Sequence, residues 1–376
     1  MLWTIFSLLI VIGAASAAVQ WYAGIRRLPR IAEHGELTHS SPPKVSIIVA
    51  AKNEEMGIHR SVSTMLEQAY PNIEVIVIND RSTDQTGRFL ANLKANHHHR
   101  KRLKIINVNR LPSGWLGKNH ALYLGAKEAD GDWYLFADAD VSLDKQAVAK
   151  AVQYTTRHQL DHLTLIPENI GGSLPYRAFH SYWGILGTWN FIQLNHAGIG
   201  AFNFLHASVY REIGTHSALP MTPDDDLKLG KRVALAGYRQ QLGFGRHLVR
   251  IQWYNTVREA ISGLEKNLFA FFHYRLSVVF LVSLSILLAH VVPFAGIFSG
   301  EPLATFFFAL TLVIYFIMYS FYAVLTGESA GYFFWMPLNA LLFTYCLWRS
   351  ALVALRSQAV TWRGTSYSLS ELRKRL

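Results

Sequence analysis

The sequence predicts an α/β domain built on a mostly parallel sheet and flanked by apolar helices long enough to cross a bilayer. Three observations carry this expectation. Short runs rich in Val, Ile and Leu alternate with helical stretches between residues 44 and 168. Apolar segments cover residues 2–23 and much of 276–353. Hydrophobic residues make up 51% of the 376-residue chain and charged residues only 16%, too apolar for an ordinary soluble enzyme, whereas 44–250 alone reads like a soluble domain.

Residues 2–23 (LWTIFSLLIVIGAASAAVQWYA) suffice for one crossing at roughly 20 residues per span. The small residues from Ala14 to Ala18 mimic a signal-peptide cleavage site. No basic region precedes them, however, and Arg26, Arg27 and Arg30 follow. The expectation is an uncleaved anchor over 1–25 in a multi-pass protein of the cell membrane, with the next domain cytoplasmic. Residues 31–43 are polar and contain proline, a linker.

The strands expected next are Val45–Ala51, Ile73–Asp80, Leu103–Asn109, Trp133–Asp140 and His162–Pro167, with helices at 54–69, 82–95, 118–129 and 144–157. Such alternation places ligands beyond the carboxyl ends of the strands. Ser82-Thr83-Asp84-Gln85 reads as a capping box opening the second helix. Beyond the domain at 44–250, residues 251–275 carry Val257, Ile261, Leu264, Leu268 and Phe271 at helical spacing, which suits a helix at the membrane interface or one packed on the soluble domain.

The region 276–355 follows. Residues 276–298 and 304–325 are firm spans, while the third stretch, 332–348, is shorter and carries Pro337 and Asn339. Three full crossings would place the basic tail, 356–376, opposite the soluble domain and against the positive-inside tendency. A cytoplasmic tail therefore leaves the third stretch open between a span and a re-entrant segment.

The formal net charge of +11 points to the membrane surface and not to nucleic acid. Arg26, Arg27, Arg30, Arg349, Arg356, Arg363, Arg373, Lys374 and Arg375 all crowd the ends of apolar segments. Cys346 is the only cysteine, so the chain holds no internal disulfide and no cysteine-based metal site. The run from His97 to Arg102 (HHHRKR) reads as a solvated basic loop and not as a metal site.

Asp138-Ala139-Asp140 ends the apolar run Trp133-Tyr134-Leu135-Phe136. Two carboxylates at a strand end can share a hard cation, Mg²⁺ or Mn²⁺, with substrate phosphates. Asp80 ends another strand, where a carboxylate accepts hydrogen bonds from a ribose hydroxyl or a uracil N–H, or simply forms a turn. Lys118 opens a helix flanked by glycine in Gly114-Trp115-Leu116-Gly117-Lys118, a place suited to a diphosphate. Asn53 and Glu54, in Ala50-Ala51-Lys52-Asn53-Glu54-Glu55, suit either a helix cap or contact with a nucleotide base. That segment lacks the Gly-x-Gly-x-x-Gly turn of dinucleotide-binding dehydrogenases. Asp224-Asp225-Asp226 is a second acidic cluster, whose mutual repulsion calls for a cation, a proton or a functional reason; the bland alternative is an exposed acidic helix start. His196 and His206 read as core or polar-network residues, while the aromatics between Phe179 and Phe204 suit either core packing or the entrance for a bilayer-resident acceptor.

The segments SIIVAAKNEE, VIVINDRSTDQT, GWLGKNHAL, FADAD and PDDDLKLG jointly resemble the family 2 glycosyltransferases, in the family's order and over roughly 44–240. The resemblance implies a GT-A nucleotide-sugar-binding domain. It implies nucleoside contact by Asp80, diphosphate and divalent-cation binding by Asp138 and Asp140, and a catalytic base in the pair Asp225 and Asp226, with Asp226 as the base. The anchored layout, GWLGKNHA and VTWRGTSY at 360–367 look more narrowly like bacterial carotenoid- and hopanoid-pathway members. That implies inverting hexosyl transfer from a nucleoside-diphosphate sugar, expected to be a UDP-sugar, to a lipid-soluble acceptor such as a carotenoid, hopanoid or polyprenyl-type lipid. The chain departs from processive polysaccharide synthases, which carry Gln-x-x-Arg-Trp after the catalytic Asp. Here the nearest residues are Arg250-Ile251-Gln252-Trp253-Tyr254, whose Trp253 and Tyr254 suit an acceptor site or a membrane interface equally. The alternatives are a processive polysaccharide synthase and a non-catalytic, nucleotide-sugar-binding membrane scaffold.

Overall fold

The computed structural model describes residues 1–33, 42–265, 268–362 and 365–370. It divides into two compact units, one of Leu28–Ile170 with His196–Gln252, the other of Met1–Arg27, Gly171–Asn195 and the chain from Trp253 on.

The first is the α/β unit. Its strands are β1 (Val45–Ala51), β2 (Ile73–Asp80), β3 (Leu103–Val108), β4 (Trp133–Asp138), β5 (Ser142–Leu143), β6 (His162–Ile166), β7 (Glu168–Asn169), β8 (Asn203–His206), β9 (Gln240–Phe244) and β10 (Val249–Ile251). Seven of them form one sheet in the order β3-β2-β1-β4-β8-β6-β9, and β5, β10 and β7 form a small second sheet. In the large sheet only β8 runs against its neighbours, β4 and β6. The β1 run Val45, Ile47, Ile48 and Val49 is fully buried, as a parallel strand covered on both faces must be.

Register decides where the chemistry lies. Ala50 pairs with Asp138 and Ala51 with Asn79, so the ends of β2, β1 and β4 lie side by side, with Asp80 and Asp138 flanking β1. The helix Asp225–Leu235 joins the core through Leu229 and Val233, which pack in the cluster that includes Ile48, Ile78 and Phe136.

The five expected strands and four intervening helices are all present, with three starts displaced, the last of them from 144 to Ala147. The helix expected at 54–69 covers Ile58–Leu66, and the one expected at 82–95 covers Thr86–Asn96. The capping box is not formed, because its residues serve other partners. Ser82 Oγ accepts the Asn53 N–H at 3.1 Å and the Gln85 N–H donates to Glu55. Asp84 Oδ1 accepts the Thr86 N–H at 3.0 Å instead. Strand β4 ends at Asp138, so Asp140 stands in the following turn.

Among the described residues, the helical unit holds four helices long and apolar enough to cross a membrane: Leu2–Ile25, Leu276–Gly296, Pro302–Thr326 and Ala330–Ser357. Trp3 packs on Phe308, and Trp21 and Tyr22 pack on Phe321. The two features that left the last stretch open both find a structural use. Pro337 lies in the first turn of the helix Met336–Ser357, where its missing N–H costs nothing. Asn339, buried, donates to the Ala178 carbonyl at 3.0 Å. Of the amphipathic segment expected over 251–275, the described residues form the helices Val257–Glu265 and Leu268–Phe271, and positive φ at His273 and Tyr274 turns the chain before Leu276. The aromatic stretch from Phe179 to Phe204 divides: Phe179 and Tyr182 are buried in this unit, Phe202 and Phe204 in the α/β unit. Ala359–Trp362 and Thr365–Ser368 pair as an antiparallel ladder; Arg363, Gly364, Lys266 and the basic residues from 373 on lie outside the described residues.

Candidate active site

Four of the residues singled out in the sequence line one small cavity at the strand ends: Lys118, Asp138, Asp225 and Asp226, with Gly200 and His216 beside them. Lys118 Nζ lies 3.0 Å from Asp138 Oδ1 and 3.6 Å from Asp225 Oδ1, so one ammonium bridges the first acidic cluster to the second. Its position is fixed by the helix Gly117–Glu128, whose start is tied to the chain ahead of Asp225. The Leu116 N–H donates to the Pro220 carbonyl at 2.7 Å, and Asn119, fully buried, donates through Nδ2 to the Leu219 and Thr222 carbonyls.

The loop before β8 joins the two carboxylate clusters. The Gly200 carbonyl accepts the Asp138 N–H at 3.0 Å, and the Gly200 N–H donates to Asp226 Oδ2 at 2.6 Å. Asp226 Oδ1 accepts the Leu227 N–H at 2.8 Å. A Cβ at position 200 would stand 2.7 Å from Asp138 Oδ2 and 3.0 Å from Lys118 Nζ, and one at 198 would overlap the Asp226 carbonyl at 1.8 Å. A side chain at 198 would collide with backbone, and one at 200 would have to displace the Asp138 and Lys118 side-chain ends.

The paired acids are held in different states. Burial favours the neutral form of Asp225, but Lys118 and His216 outweigh it and hold its carboxyl below the ordinary range. Burial, and then the negative charge of Asp225, push the Asp226 carboxyl up to about 7. Lys118 is held firmly protonated: burial opposes its charge, and Asp138 with Asp225 overcomes that.

The other expected residues flank this centre. Asp80 is buried, and the Arg81 guanidinium spans its carboxylate with two bonds of 2.8 Å. Gly117, next to Lys118, lies directly against it, for a Cβ there would come within 2.5 Å of Asp80 Oδ2. Asp140 is exposed in the turn after β4. Asn53 Oδ1 accepts the Thr83 N–H at 2.8 Å and the Glu54 N–H donates to Thr86 Oγ1 at 2.8 Å, so this loop is tied to the one that follows Asp80. Asp224 pairs with Lys228 at 4.0 Å. His206 caps the helix after β8 by accepting the Ser208 N–H.

Sequence reasoning passed over Gly198, Gly200, Asn119, Arg81, Tyr210 and His216. Asn119 and Arg81 stand inside segments that were recognised; the others carry no local signal, since their partners are remote in the chain.

A mostly parallel α/β sheet with acidic side chains gathered near its carboxyl edge is typical of the GT-A fold. The family model described as Glycosyl transferase family 2 matches residues 46–213 of this chain. The chain is 30% identical over 167 residues to a 4,4'-diaponeurosporenoate glycosyltransferase of Staphylococcus haemolyticus, covering 43% of this chain and 41% of that one. It is 32% identical over 109 residues to a poly-beta-1,6-N-acetyl-D-glucosamine synthase of Staphylococcus epidermidis, covering 29% and 24%. The chain thus spans less than half the length of these curated relatives. Among solved structures, a mannosyltransferase of Pyrobaculum calidifontis in complex with GDP-Man and Mn²⁺ shares the fold, with a TM-score of 0.59 and 15% identity over 94% of this chain and 98% of that one.

Proposed function

We propose that the chain is a membrane-bound, inverting glycosyltransferase. It moves a sugar from a nucleoside-diphosphate sugar, a UDP-sugar in this reading, to a lipid-soluble acceptor such as a carotenoid, hopanoid or polyprenyl-type lipid. The observation that carries the reading is the lysine bridge: Lys118 lies between Asp138 and Asp225, with Asp226 alongside. One cavity therefore offers a cationic group for a departing diphosphate and a carboxylate able to take a proton at neutral pH.

Asp226 is the base. Two backbone N–H groups fix its carboxylate, and its raised proton affinity lets it take the acceptor hydroxyl's proton as the oxygen attacks the anomeric carbon from the face opposite the diphosphate. Asp225 maintains that affinity through its fixed negative charge. Asp80 receives the nucleoside, which requires the Arg81 guanidinium to share or release the carboxylate. Asn53 and Glu54 brace the loop beside it. A carboxylate acceptor would arrive already deprotonated and would need no base.

Asp138 and Asp140 fit a divalent cation. Both offer hard oxygen donors one residue apart, and glycine at 200 leaves space beside Asp138 Oδ2 that a side chain would fill. Bound there, Mg²⁺ or Mn²⁺ would offset negative charge on the leaving diphosphate; Lys118 supplies a further positive charge from the protein.

The four apolar helices support a bilayer-resident acceptor, and the basic residues at their ends support a cytoplasmic catalytic domain. The polysaccharide-synthase relative favours a second reading, processive polymer synthesis, although Gln-x-x-Arg-Trp is missing. The test is to give full-length protein in native membranes labelled UDP-glucose, UDP-N-acetylglucosamine or GDP-mannose, with Mn²⁺ or with chelator. Label in extracted lipid supports the proposal, label in polymer the second reading, and nucleotide-sugar binding without turnover a scaffold.

A further inference from the structure

We propose that His216 is a positioning residue for the acidic pair, holding Asp225 through an Nε2–H whose direction Tyr210 sets; the proposal rests on the glycosyltransferase reading above. His216 is 1% exposed and Asp225 3%. His216 Nε2 faces Asp225 Oδ2 at 3.6 Å, the side of the carboxylate opposite the oxygen that faces Lys118. Nδ1 lies 2.8 Å from the Tyr210 hydroxyl, and that oxygen also accepts the His216 backbone N–H at 3.0 Å.

These contacts decide where the ring proton sits. With the phenol oxygen accepting the backbone N–H, its own proton is directed at Nδ1. The reverse tautomer would aim a bare Nε2 lone pair at a carboxylate oxygen, two acceptors face to face in a buried site. An Nε2–H is therefore retained. Phe136 stacks edge-on against the ring at 5.0 Å and Tyr210 packs against Phe136 at 5.1 Å, so the imidazole has no room to turn. The 3.6 Å separation is long for a hydrogen bond, as contacts of this kind often are before substrate binds.

Held between Lys118 and His216, Asp225 presents a fixed charge and a fixed direction to its neighbour Asp226. In this assignment His216 acts through Asp225, whose Oδ2 it faces. Loss of that hold should lower turnover and leave donor binding intact.

Full-length protein in detergent is compared as the unaltered chain, His216→Phe, His216→Gln and Tyr210→Phe. The readout is nucleotide release from whichever of UDP-glucose, UDP-N-acetylglucosamine or GDP-mannose it turns over. His216→Phe is expected to lower kcat on the order of 10- to 100-fold at unchanged donor KM. His216→Gln, which keeps a donor near the Nε2 position, restores most of the rate, and Tyr210→Phe falls between. Equal losses in the Gln and Phe variants, or losses that follow Tm, would overturn the proposal. Nitrogen-15 spectra of histidine-labelled protein, with His216 assigned by difference against His216→Gln, read the tautomer without any turnover. A protonated Nε2 is expected and an unprotonated one overturns the assignment. Absence of turnover in the unaltered chain would count against the enzymatic reading, and the spectra would still decide the hydrogen-bond chain.

Discussion

In the α/β unit the charged groups at the strand ends are closed in on one another. Asp225 is 3% exposed and meets Lys118 and His216, and Asp226 is gripped by two backbone N–H groups. In the helical unit the polar groups are few, and large apolar side chains face outward: Leu9 is 63% exposed, Leu281 59% and Ile317 60%. The first unit encodes its task in a few atoms whose placement must hold to fractions of an ångström. The second presents apolar surface of the kind that a lipid environment can cover. Single substitutions should therefore act on chemistry in one unit and on stability in the other.

The largest effect is expected at Asp226. Asp226→Asn should lower turnover with an alcohol acceptor by roughly 10²- to 10⁴-fold, the usual worth of a positioned base, with nucleotide-sugar binding retained by calorimetry. Little loss with such an acceptor would remove Asp226 from the base role, whereas little loss with a carboxylate acceptor is what the chemistry predicts. Gly200→Val comes next. Its side chain would enter the space beside Asp138 Oδ2 and Lys118 Nζ, and a displacement of about 1 Å there is worth on the order of 100-fold in rate. Steady-state kinetics on folded protein checks this, with a circular dichroism spectrum like that of the unaltered chain as the control.

The paired acids also set a pH dependence. Asp226, facing Asp225, Lys118 and Asp138, has its carboxyl pushed up to about 7 by burial and then by Asp225. As a base it works only when deprotonated, so kcat/KM should rise through a limb near neutral pH, and Asp225→Asn should move that limb towards acid. Stability runs the other way. A free aspartate titrates near about 3.9, so between that pH and neutrality the folded chain binds more protons here than the unfolded one. The contribution of this group is fully present below the lower value and is lost as pH rises through the upper one. A limb that stays in place in Asp225→Asn would show that the neighbouring charge does not govern Asp226.

In the helical unit, Arg177 donates to Glu328 Oε2 through Nε and Nη2 at 3.2 and 2.8 Å, and the Glu328 side chain is only 9% exposed. Arg177→Ala should cost about 1.5–3 kcal/mol, the worth of hydrogen bonds to a charged group, and appear as a lower Tm in detergent at unchanged turnover per folded molecule. A large loss of turnover at unchanged Tm would break the contrast between the units.

The contrast also explains what the sequence made legible. Strands β1 to β4 and the helices between them follow local rules, the buried Val and Ile runs and the helical spacing of Ile58, Val62 and Met65, and they read correctly. Asp138, Lys118 and the acidic triplet announced themselves by residue type at element ends. The antiparallel strand β8 went unread because it is four residues long and its partners are remote in the chain, with His162 lying 43 residues from Leu205 and Phe136 67 residues from Asn203. Gly200 and His216 went unread for the same reason. Nothing in their neighbourhood says that Asp226 or Asp225 will be brought beside them. Pro337 and Asn339 obscured a helix that the fold accommodates by placing one at its first turn and pairing the other with a backbone carbonyl.

The smallest effect is expected at the other end of the sheet. Glu67, His97 and His98 bring possible ligand atoms within 4.8 Å of one another, near the start of β3 and away from the carboxyl ends that carry the site. The geometry is poor for a cation. His97 Nδ1 accepts the His99 N–H at 3.1 Å, and its Nε2 faces Glu67 Oε1 at 3.9 Å. With Nδ1 spent on the backbone, the neutral ring carries its proton on Nε2, pointed at the carboxylate, and keeps no lone pair for a metal. His98→Ala should leave turnover unchanged, and added Zn²⁺ should shift Tm equally in this variant and in the unaltered chain. A shift confined to the unaltered chain would mean that a cation can displace the His99 N–H, and a second metal locus would then have to be placed beside the one proposed at Asp138 and Asp140.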